Sequence, residues 1–253
     1  MDLDPWIYAL LFVTAWGAGL VDAVAGGGGV LSLPVLLSVG FPVPVALGTN
    51  KLQASFGSGT AATHYVRGGL VTLRECRWGI GATLLGSAAG AAAVHVLDPA
   101  LLGTLIPWLL AAIVVYTIAR PQVGKTDHPP RMHLAPFSVA FGLGLGFYDG
   151  FFGPGVGSFW TIAFVAVQGF NFAKATGFTK VMNFTSNVTA LAVFLVAGQV
   201  HFAAGLVMAV GQILGSRMGA RLVMTRGARV VRPLFLVMAT LTVARLLYVQ
   251  VMR

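Results

Sequence analysis

Two lysines stand inside apolar segments of the sequence, each beside side chains that form hydrogen bonds. A charged group in such a segment is costly, so its presence predicts a functional site. Ammonium groups supply positive charge and carboxamides supply N–H donors, which suits the binding of an anion. We therefore predict that a substrate is bound by Asn50, Lys51, Gln53, Lys180, Asn183 and Asn187. The alternative is a structural role, because polar side chains also form hydrogen bonds between membrane helices.

Two glycine clusters precede short apolar segments, at 26–29 and at 153–157. Each glycine in a helix costs about 1 kcal/mol relative to alanine, so four in succession predict a break. A helix that starts after such a break points its free backbone N–H groups at the break, where they can bind an anion. The predicted binding site therefore also includes Gly26, Gly27, Gly28, Gly29, Gly153 and Gly155.

Two aspartates lie four residues before these glycines, Asp22 before Gly26 and Asp149 before Gly153. Carboxylates inside membrane segments serve as proton or cation carriers, or they pair with lysines. Aspartate is also a good cap for the N-terminus of a helix. The sequence leaves coupling, lysine pairing and support of the broken helices open as roles for both side chains.

The composition determines the class of protein. Hydrophobic residues make up 57% of the 253-residue chain and charged residues only 9%. A soluble domain carries about 25% charged residues, which argues against a soluble enzyme, a disordered protein and a coiled coil. The apolar runs are continuous, whereas a membrane β-barrel requires alternating residues. The sequence therefore predicts an all-α polytopic membrane protein.

Ten apolar segments follow one another along the chain. Eight could cross a membrane of about 30 Å as helices. The other two are short, so we predict broken or re-entrant helices at 29–40 and 155–170. The ten segments are 6–22, 29–40, 46–65, 78–97, 101–119, 134–150, 155–170, 176–197, 202–224 and 233–250.

The two halves of the chain resemble each other at a constant offset. Gly26 and Gly155 lie 129 residues apart (155 − 26), and Lys51 and Lys180 show the same offset. Further pairs at this offset are Gly40 and Gly169, Gly48 and Gly177, Gly69 and Gly198, and residues 85–87 with 214–216. Such a period indicates an internal duplication. We predict a first repeat at 1–120, a linker at 121–133 and a second repeat at 134–253.

The basic residues predict an orientation in the membrane. The formal net charge is +9, and basic residues concentrate near the loops 66–77, 120–133 and 225–232. The positive-inside rule places these loops in the cytoplasm and both chain termini outside. The repeats then cross in opposite directions, an inverted topology common among secondary transporters. The basic loops would face anionic lipid, and no nucleic-acid partner is expected.

No cofactor and no metal site is predicted. Cys76 is the only cysteine, and the five histidines are scattered. Metal sites require closer ligand spacing. The sequence also lacks a phosphate-binding loop and the βαβ unit of a dinucleotide site. A membrane-embedded enzyme would need a nucleophile–base pair or a metal cluster, and the sequence favours neither.

Six stretches together resemble the sulfite exporter TauE/SafE family, and the resemblance covers nearly the whole chain. They are DAVAGGGG at 22–29, ALGTNKLQ at 46–53, FYDGFFGPG at 147–155, GFNFAKAT at 169–176, KVMNFTSN at 180–187 and VGQILGSRMGARLV at 210–223. The resemblance implies an inner-membrane transporter of small organic or inorganic anions, often sulfur-containing oxyanions.

These observations together predict a secondary transporter in the bacterial plasma membrane. It would move a small anion, such as a sulfur oxyanion or a sulfonate, by alternating access between two inverted repeats. The alternatives are an anion channel and, with less support, a membrane-embedded enzyme. The expected partners are the anionic substrate and the lipid bilayer, while the oligomeric state stays open.

Overall fold

A computed structural model describes residues 3–94 and 126–227, together with positions 233 and 237. This part of the chain is helical and contains no strand, which confirms the predicted all-α fold. Its eight helices are α1 (Pro5–Ala25), α2 (Gly28–Ser38), α3 (Val43–Arg67), α4 (Leu73–Ala93), α5 (Leu134–Phe151), α6 (Val156–Val167), α7 (Phe172–Val196) and α8 (Phe202–Arg226). The predicted segment 101–119, nearly all of 233–250, the start of the linker and the C-terminus lie outside the described residues.

The helices differ in length as the apolar segments predict. α1, α5, α7 and α8 are long and apolar enough to cross a membrane. α3 has 25 residues, about 37 Å at 1.5 Å per residue, but it is less apolar because it carries the first polar cluster. α2 and α6 have only 11 and 12 residues, about half the length that a crossing needs.

Two close-packed helix pairs join the halves of the chain. α1 packs along α8, and α4 packs along α5. A Cβ atom at Gly90 would overlap the carbonyl oxygen of Phe147, and one at Gly215 would overlap that of Trp16. Small residues at such interfaces let the helix backbones approach closely. Each pair combines one helix from before residue 94 with one from after residue 126, so the halves are interleaved.

α3 and α7 lie side by side at the centre and run in opposite directions. Lys51 of α3 contacts Asn187 of α7, whereas Gly59, two turns later on α3, lies against Phe184, earlier on α7. An antiparallel pair brings the middle of one helix beside the middle of the other. The two polar clusters predicted from the sequence therefore meet.

A polar layer at this contact separates two apolar clusters. Tyr65 at the end of α3 and Phe172 at the start of α7 belong to one cluster. Leu47 at the start of α3 and Phe194 near the end of α7 belong to the other. Apolar packing on both sides excludes water from the polar layer except through openings between helices, and strengthens electrostatic interactions within it.

The described end of the predicted linker, 126–133, packs against the loop before α7. The carboxylate of Asp127 accepts a hydrogen bond from the backbone N–H of Asn171 at 2.6 Å. The backbone N–H of His128 donates to the carbonyl oxygen of Gly169 at 2.7 Å. These contacts attach this end of the linker to the second half of the chain.

The glycine interfaces generate a test of the packing. We expect Gly215→Ala to lower the free energy of unfolding by about 1–3 kcal/mol, because backbone atoms of α1 would have to move. Gly81→Ala is the matched control, since a Cβ atom there meets no atom within 4 Å. Thermal unfolding in detergent measures both variants. Equal unfolding temperatures for the two variants would contradict the close approach of α1 and α8.

Candidate functional site

The first glycine cluster forms a short break between α1 and α2. Gly26 ends α1 with a left-handed backbone (φ 77°), and Gly27 precedes the first residue of α2. The backbone N–H of Gly28 donates to the carboxylate of Asp22 at 3.3 Å. Because this contact stabilises the start of α2, Gly28 and Gly29 are helical. The break is therefore narrower than the predicted run of four glycines.

The second glycine cluster separates α5 from α6. Gly153 and Gly155 both have left-handed backbones (φ 94° and 84°) and flank Pro154. The first break touches the first turn of α6, since a Cβ atom at Gly26 would lie 2.5 Å from the carbonyl carbon of Gly157. Several N–H groups in the first turns of α2 and α6 bond within the protein, among them those of Val30, Val156 and Ser158. Fewer backbone donors therefore remain for a ligand than the sequence predicts.

Both predicted lysines are paired with the predicted aspartates. Lys51 Nζ lies 2.5 Å from Asp149 Oδ1 and 3.2 Å from Asn187 Oδ1. The second carboxylate oxygen of Asp149 accepts a hydrogen bond from the hydroxyl of Ser186. Lys180 Nζ lies 2.9 Å from Asp22 Oδ2. Each ion pair connects a helix of the first half to a helix of the second half.

The charged side chains of both ion pairs are largely buried, and this burial requires them to be paired. The side chains of Lys51 and Asp149 are 2% and 3% exposed, and that of Lys180 is fully buried. An isolated buried charge is strongly unfavourable, so each ammonium needs a carboxylate. Asp22 is 16% exposed and both pairs with Lys180 and stabilises the start of α2. Proton or cation transport by Asp22 and Asp149 stays a prediction.

A cavity of about 30 Å³ lies between the two glycine breaks. A space of this size has room for about two water molecules. The predicted site residues that line it are Asp22, Gly26, Gly28, Gly29, Asn50, Lys51, Asp149, Gly153, Gly155, Asn183 and Asn187. We call this space the central cavity.

Three predicted site residues lie outside the lining of the central cavity. Gly27 lies in the break before α2. Gln53 is buried and donates through Nε2 to Asn50 Oδ1 at 2.7 Å. Lys180 does not line the cavity, but it pairs with Asp22, which does. These three residues support the lining instead of forming it.

The asparagine amides in the lining are oriented by their neighbours. Asn50 Oδ1 accepts from the hydroxyl of Ser32 at 2.6 Å as well as from Gln53. Asn187 Oδ1 accepts from Lys51 Nζ. When donors of the protein occupy an amide oxygen, the NH₂ group is what the amide can offer to a ligand. Asn50 and Asn187 therefore offer NH₂ groups to a ligand, whereas Asn183 Oδ1 has no hydrogen-bond partner among the described residues and offers an acceptor.

Sequence reasoning missed one polar residue of the lining, Gln212 of α8. Its side chain is buried, and its Oε1 atom has no hydrogen-bond partner among the described residues. A lone amide within the apolar segment 202–224 was the available signal. Ala54 and Val156 complete the lining. Within the described ranges, no three histidine, cysteine, aspartate or glutamate side chains come together as metal ligands would.

The ion pairs generate a test of stability. We expect Lys51→Met alone to lower the free energy of unfolding by about 3–5 kcal/mol, because Asp149 would remain buried without a partner. Adding Asp149→Asn should restore most of the loss, since no unpaired charge then remains. Lys180→Met should cost less, because the side chain of Asp22 is 16% exposed and can be hydrated, whereas that of Asp149 is only 3% exposed. Thermal unfolding of the three variants measures these effects, and an equally low stability of the double variant would contradict the pairing.

The comparisons with known proteins agree with this architecture. A family model described as "Sulfite exporter TauE/SafE" matches residues 11–246. The chain is 42% identical over 246 residues to the probable membrane transporter protein YfcA of Escherichia coli K12, covering 97% of this chain and 91% of the relative. It is 41% identical over 250 residues to a probable membrane transporter protein of Haemophilus influenzae, covering 99% and 98%.

A third relative extends the similarity to another genus. The probable membrane transporter protein ORF9 of a Sinorhizobium species is 41% identical over 246 residues, covering 97% of this chain and 94% of the relative. No solved structure gives a significant match. The family match covers most of the chain, and the relatives are matched over nearly their whole length. The chain is therefore a multi-pass membrane protein that belongs to the sulfite exporter TauE/SafE family of membrane transporters.

Proposed function

We propose that this transporter carries a small anion across the bacterial plasma membrane through the central cavity, by alternating access of two inverted repeats. The observation that carries the proposal is the lining of the cavity. It combines Lys51 with the asparagine amides, whose oxygens at positions 50 and 187 are occupied by protein donors. Ammonium and NH₂ groups are the donors that an oxyanion accepts.

The ion pairs suggest how binding of the anion is coupled to a second ion. An anion that binds Lys51 has to compete with Asp149, which holds the ammonium at 2.5 Å. The released carboxylate is buried, so it needs a proton or a cation in exchange. Asp22 stands in the same relation to Lys180 in the other half. Anion binding and uptake of a proton or cation are therefore linked in this proposal.

Several pairs of residues at the offset of 129 support the inverted repeats. Ser32 bonds Asn50 between α2 and α3, and Thr161 bonds Thr179 between α6 and α7 at the equivalent positions. Left-handed glycines also recur at equivalent positions, at 26 and 155, 40 and 169, and 69 and 198. The equivalent helices α3 and α7 run in opposite directions, as inverted repeats require.

The contact between the first glycine break and α6 favours alternating access. Gly26 and Gly157 touch through their backbones and belong to opposite halves. The cavity beside them is small and enclosed by both halves. A rocking motion of one half against the other would open the cavity to either side of the membrane in turn, as in transporters built from repeats.

The family description indicates which anions are the first candidates for the substrate. The family model is described as a sulfite exporter, while the relatives are named only as probable membrane transporters. Sulfite has three oxygens that accept hydrogen bonds, which suits the donors of the lining. Sulfite and small sulfonates are therefore the proposed substrates.

Anion binding by the purified protein tests the proposal. We expect sulfite or a small sulfonate to raise the unfolding temperature with concentration, since a ligand of the folded state stabilises it. Asn50→Asp keeps the size of the side chain but replaces a donor with a negative charge, so it should weaken binding by at least about tenfold. Thr225→Asp adds the same charge at the exposed end of α8 and should bind as the wild type does.

Transport in proteoliposomes separates the remaining alternatives. A carrier accumulates sulfite against its gradient when a proton or cation gradient is imposed, whereas a channel only equilibrates it. Binding and transport of carboxylates alone would keep an anion carrier and reject sulfur substrates. Failure of every tested anion to bind folded protein would reject the anion site.

The orientation of the repeats can be tested with single cysteines. In a Cys76→Ala background, we expect Ala197→Cys to react with a membrane-impermeant maleimide in intact spheroplasts, because the loop 197–201 lacks basic residues. Arg74→Cys, in the basic loop, should react only after permeabilisation. Labelling of both positions from the same side would contradict the inverted topology.

A further inference from the structure

A second polar space, the basic groove, runs along α3 toward its C-terminal end. It measures about 520 Å³ and is bordered by α3, α7 and α8. Its polar lining comprises Ser55, Thr60, Thr63, His64, Arg67 and Arg217. Thr60, His64 and Arg67 are spaced four and three residues apart, so they share one face of α3. The guanidinium groups lie at the end of the groove near the C-terminus of α3. The hydroxyls lie closer to the middle of the helix, where those of Ser55 and Thr60 donate to backbone carbonyls of α3.

The cations of the basic groove have no carboxylate partner. In residues 3–94 and 126–227, neither Arg67 nor Arg217 lies within 4.0 Å of an aspartate or glutamate oxygen. Arg221 follows Arg217 by one turn of α8 and adds positive charge at the same end. Unpaired guanidinium groups that converge on a concave surface raise the local concentration of anions. Guanidinium groups also match the geometry of oxyanions.

The residues that the offset of 129 relates to the basic groove do not repeat its charges. At the offset of 129, the residues equivalent to His64 and Arg67 are Val193 and Val196. The residue equivalent to Arg217 is Ala88. A charge cluster that served only to hold the repeats together would be expected at both repeat-related positions. Its presence at only one of them, between α3 of the first half and α8 of the second, indicates a role specific to one side of the membrane.

The basic groove is adjacent to the central cavity. Ala54 lines the central cavity and Ser55 lines the groove, and on α8 the same holds for Gln212 and Ile213. The side chain of Gln212 fills the space beside Gly57, where a Cβ atom would overlap Gln212 Oε1. Neighbouring residues of α3 and of α8 therefore line the two spaces, and the side chain of Gln212 lies between these helices.

We propose that the basic groove binds small oxyanions before they enter the central cavity or after they leave it. The anions would pass Gln212 between the two spaces. The inference rests on the proposed function, because it assigns the groove to the path of the same substrate. Arg67 and Arg217 attract the anion, and the hydroxyl of Thr63 donates to it further in. The groove acts on the side of the membrane where the basic loops lie.

The depth of the groove favours a free anion over the phosphate of a lipid. Ser55 lies twelve residues before Arg67, about 18 Å deeper along α3. A lipid phosphate stays at the level of the headgroups, so it would contact the arginines and leave the deeper part of the groove unused. A lipid phosphate and a free oxyanion share the same donors, however, and the experiment has to separate them.

Binding to the groove can be measured without transport. In an Asn50→Asp background, which disables the central cavity, we expect sulfate to raise the unfolding temperature and Arg67→Gln/Arg217→Gln to abolish this shift. Arg74→Gln/Arg226→Gln is the matched control, because it removes two arginines near the same end of the helices but outside the groove. A sulfate shift that both double variants lose equally, or no sulfate shift at all, would overturn the inference.

Transport adds a second readout. The groove variant should raise KM for sulfite about five- to tenfold at low ionic strength with an unchanged kcat, and the difference should shrink as salt screens the charges. Equal KM values for groove and control variants would overturn the inference. If wild-type protein transports no anion, the proposed function is rejected. The shift of the unfolding temperature by sulfate still tests the groove site independently.

The same experiment tests the alternative that the groove binds the phosphate of a lipid headgroup. Unfolding is repeated in vesicles of phosphatidylcholine with and without phosphatidylglycerol. Stabilisation by sulfate in phosphatidylcholine alone supports a site for free oxyanions. Stabilisation that requires phosphatidylglycerol, is insensitive to sulfate and is lost in the groove variant would overturn the inference and assign the groove to a lipid headgroup.

Discussion

The structure depends on the need to neutralise two lysines in the apolar interior. Lys51 and Lys180 stand in the middle of α3 and α7, where their side chains are 2% and 0% exposed. A buried charge without a partner would cost several kcal/mol, which is a large part of the stability of a typical protein. The partners come from α5 and α1, and thus from the opposite half in each case. Charge neutralisation therefore forces the two halves to assemble as one unit.

The glycine breaks follow from these ion pairs. A Cβ atom at Gly153 would lie 2.9 Å from Asp149 Oδ1 and 3.0 Å from Lys51 Nζ, so a side chain there would disturb the pair. Gly157 meets Gly26 and the amide of Asn183 in the same way. The helices have to end beside the ion pairs, and only glycine permits the backbones to come this close. The cavity is the space that remains between the ends.

Much of the fold could be predicted from the sequence, because apolar segments and glycine clusters act locally. Eight predicted segments coincide with helices, and the two short ones are short. The roles of the aspartates could not be separated, since they depend on distances between halves. Asp22 lies four residues before Gly26, whereas Asp149 lies six before the equivalent Gly155. Asp149 contacts Lys51 and Ser186, whereas Asp22 contacts Lys180 and also accepts a hydrogen bond from the first residue of α2.

The basic groove could not be predicted from the sequence, for a different reason. Arg67 and Arg217 each agree with the positive-inside rule, which accounts for them without any site. Only the parallel packing of α3 against α8 brings them together. In the predicted duplication, the halves have to be similar where they exchange contacts, and here both lysines have an aspartate partner. The two surfaces that would face opposite sides of the membrane are free of this constraint, because each meets its own solution. Charge confined to one of these surfaces can therefore favour anion capture on one side while the centre keeps its balanced ion pairs.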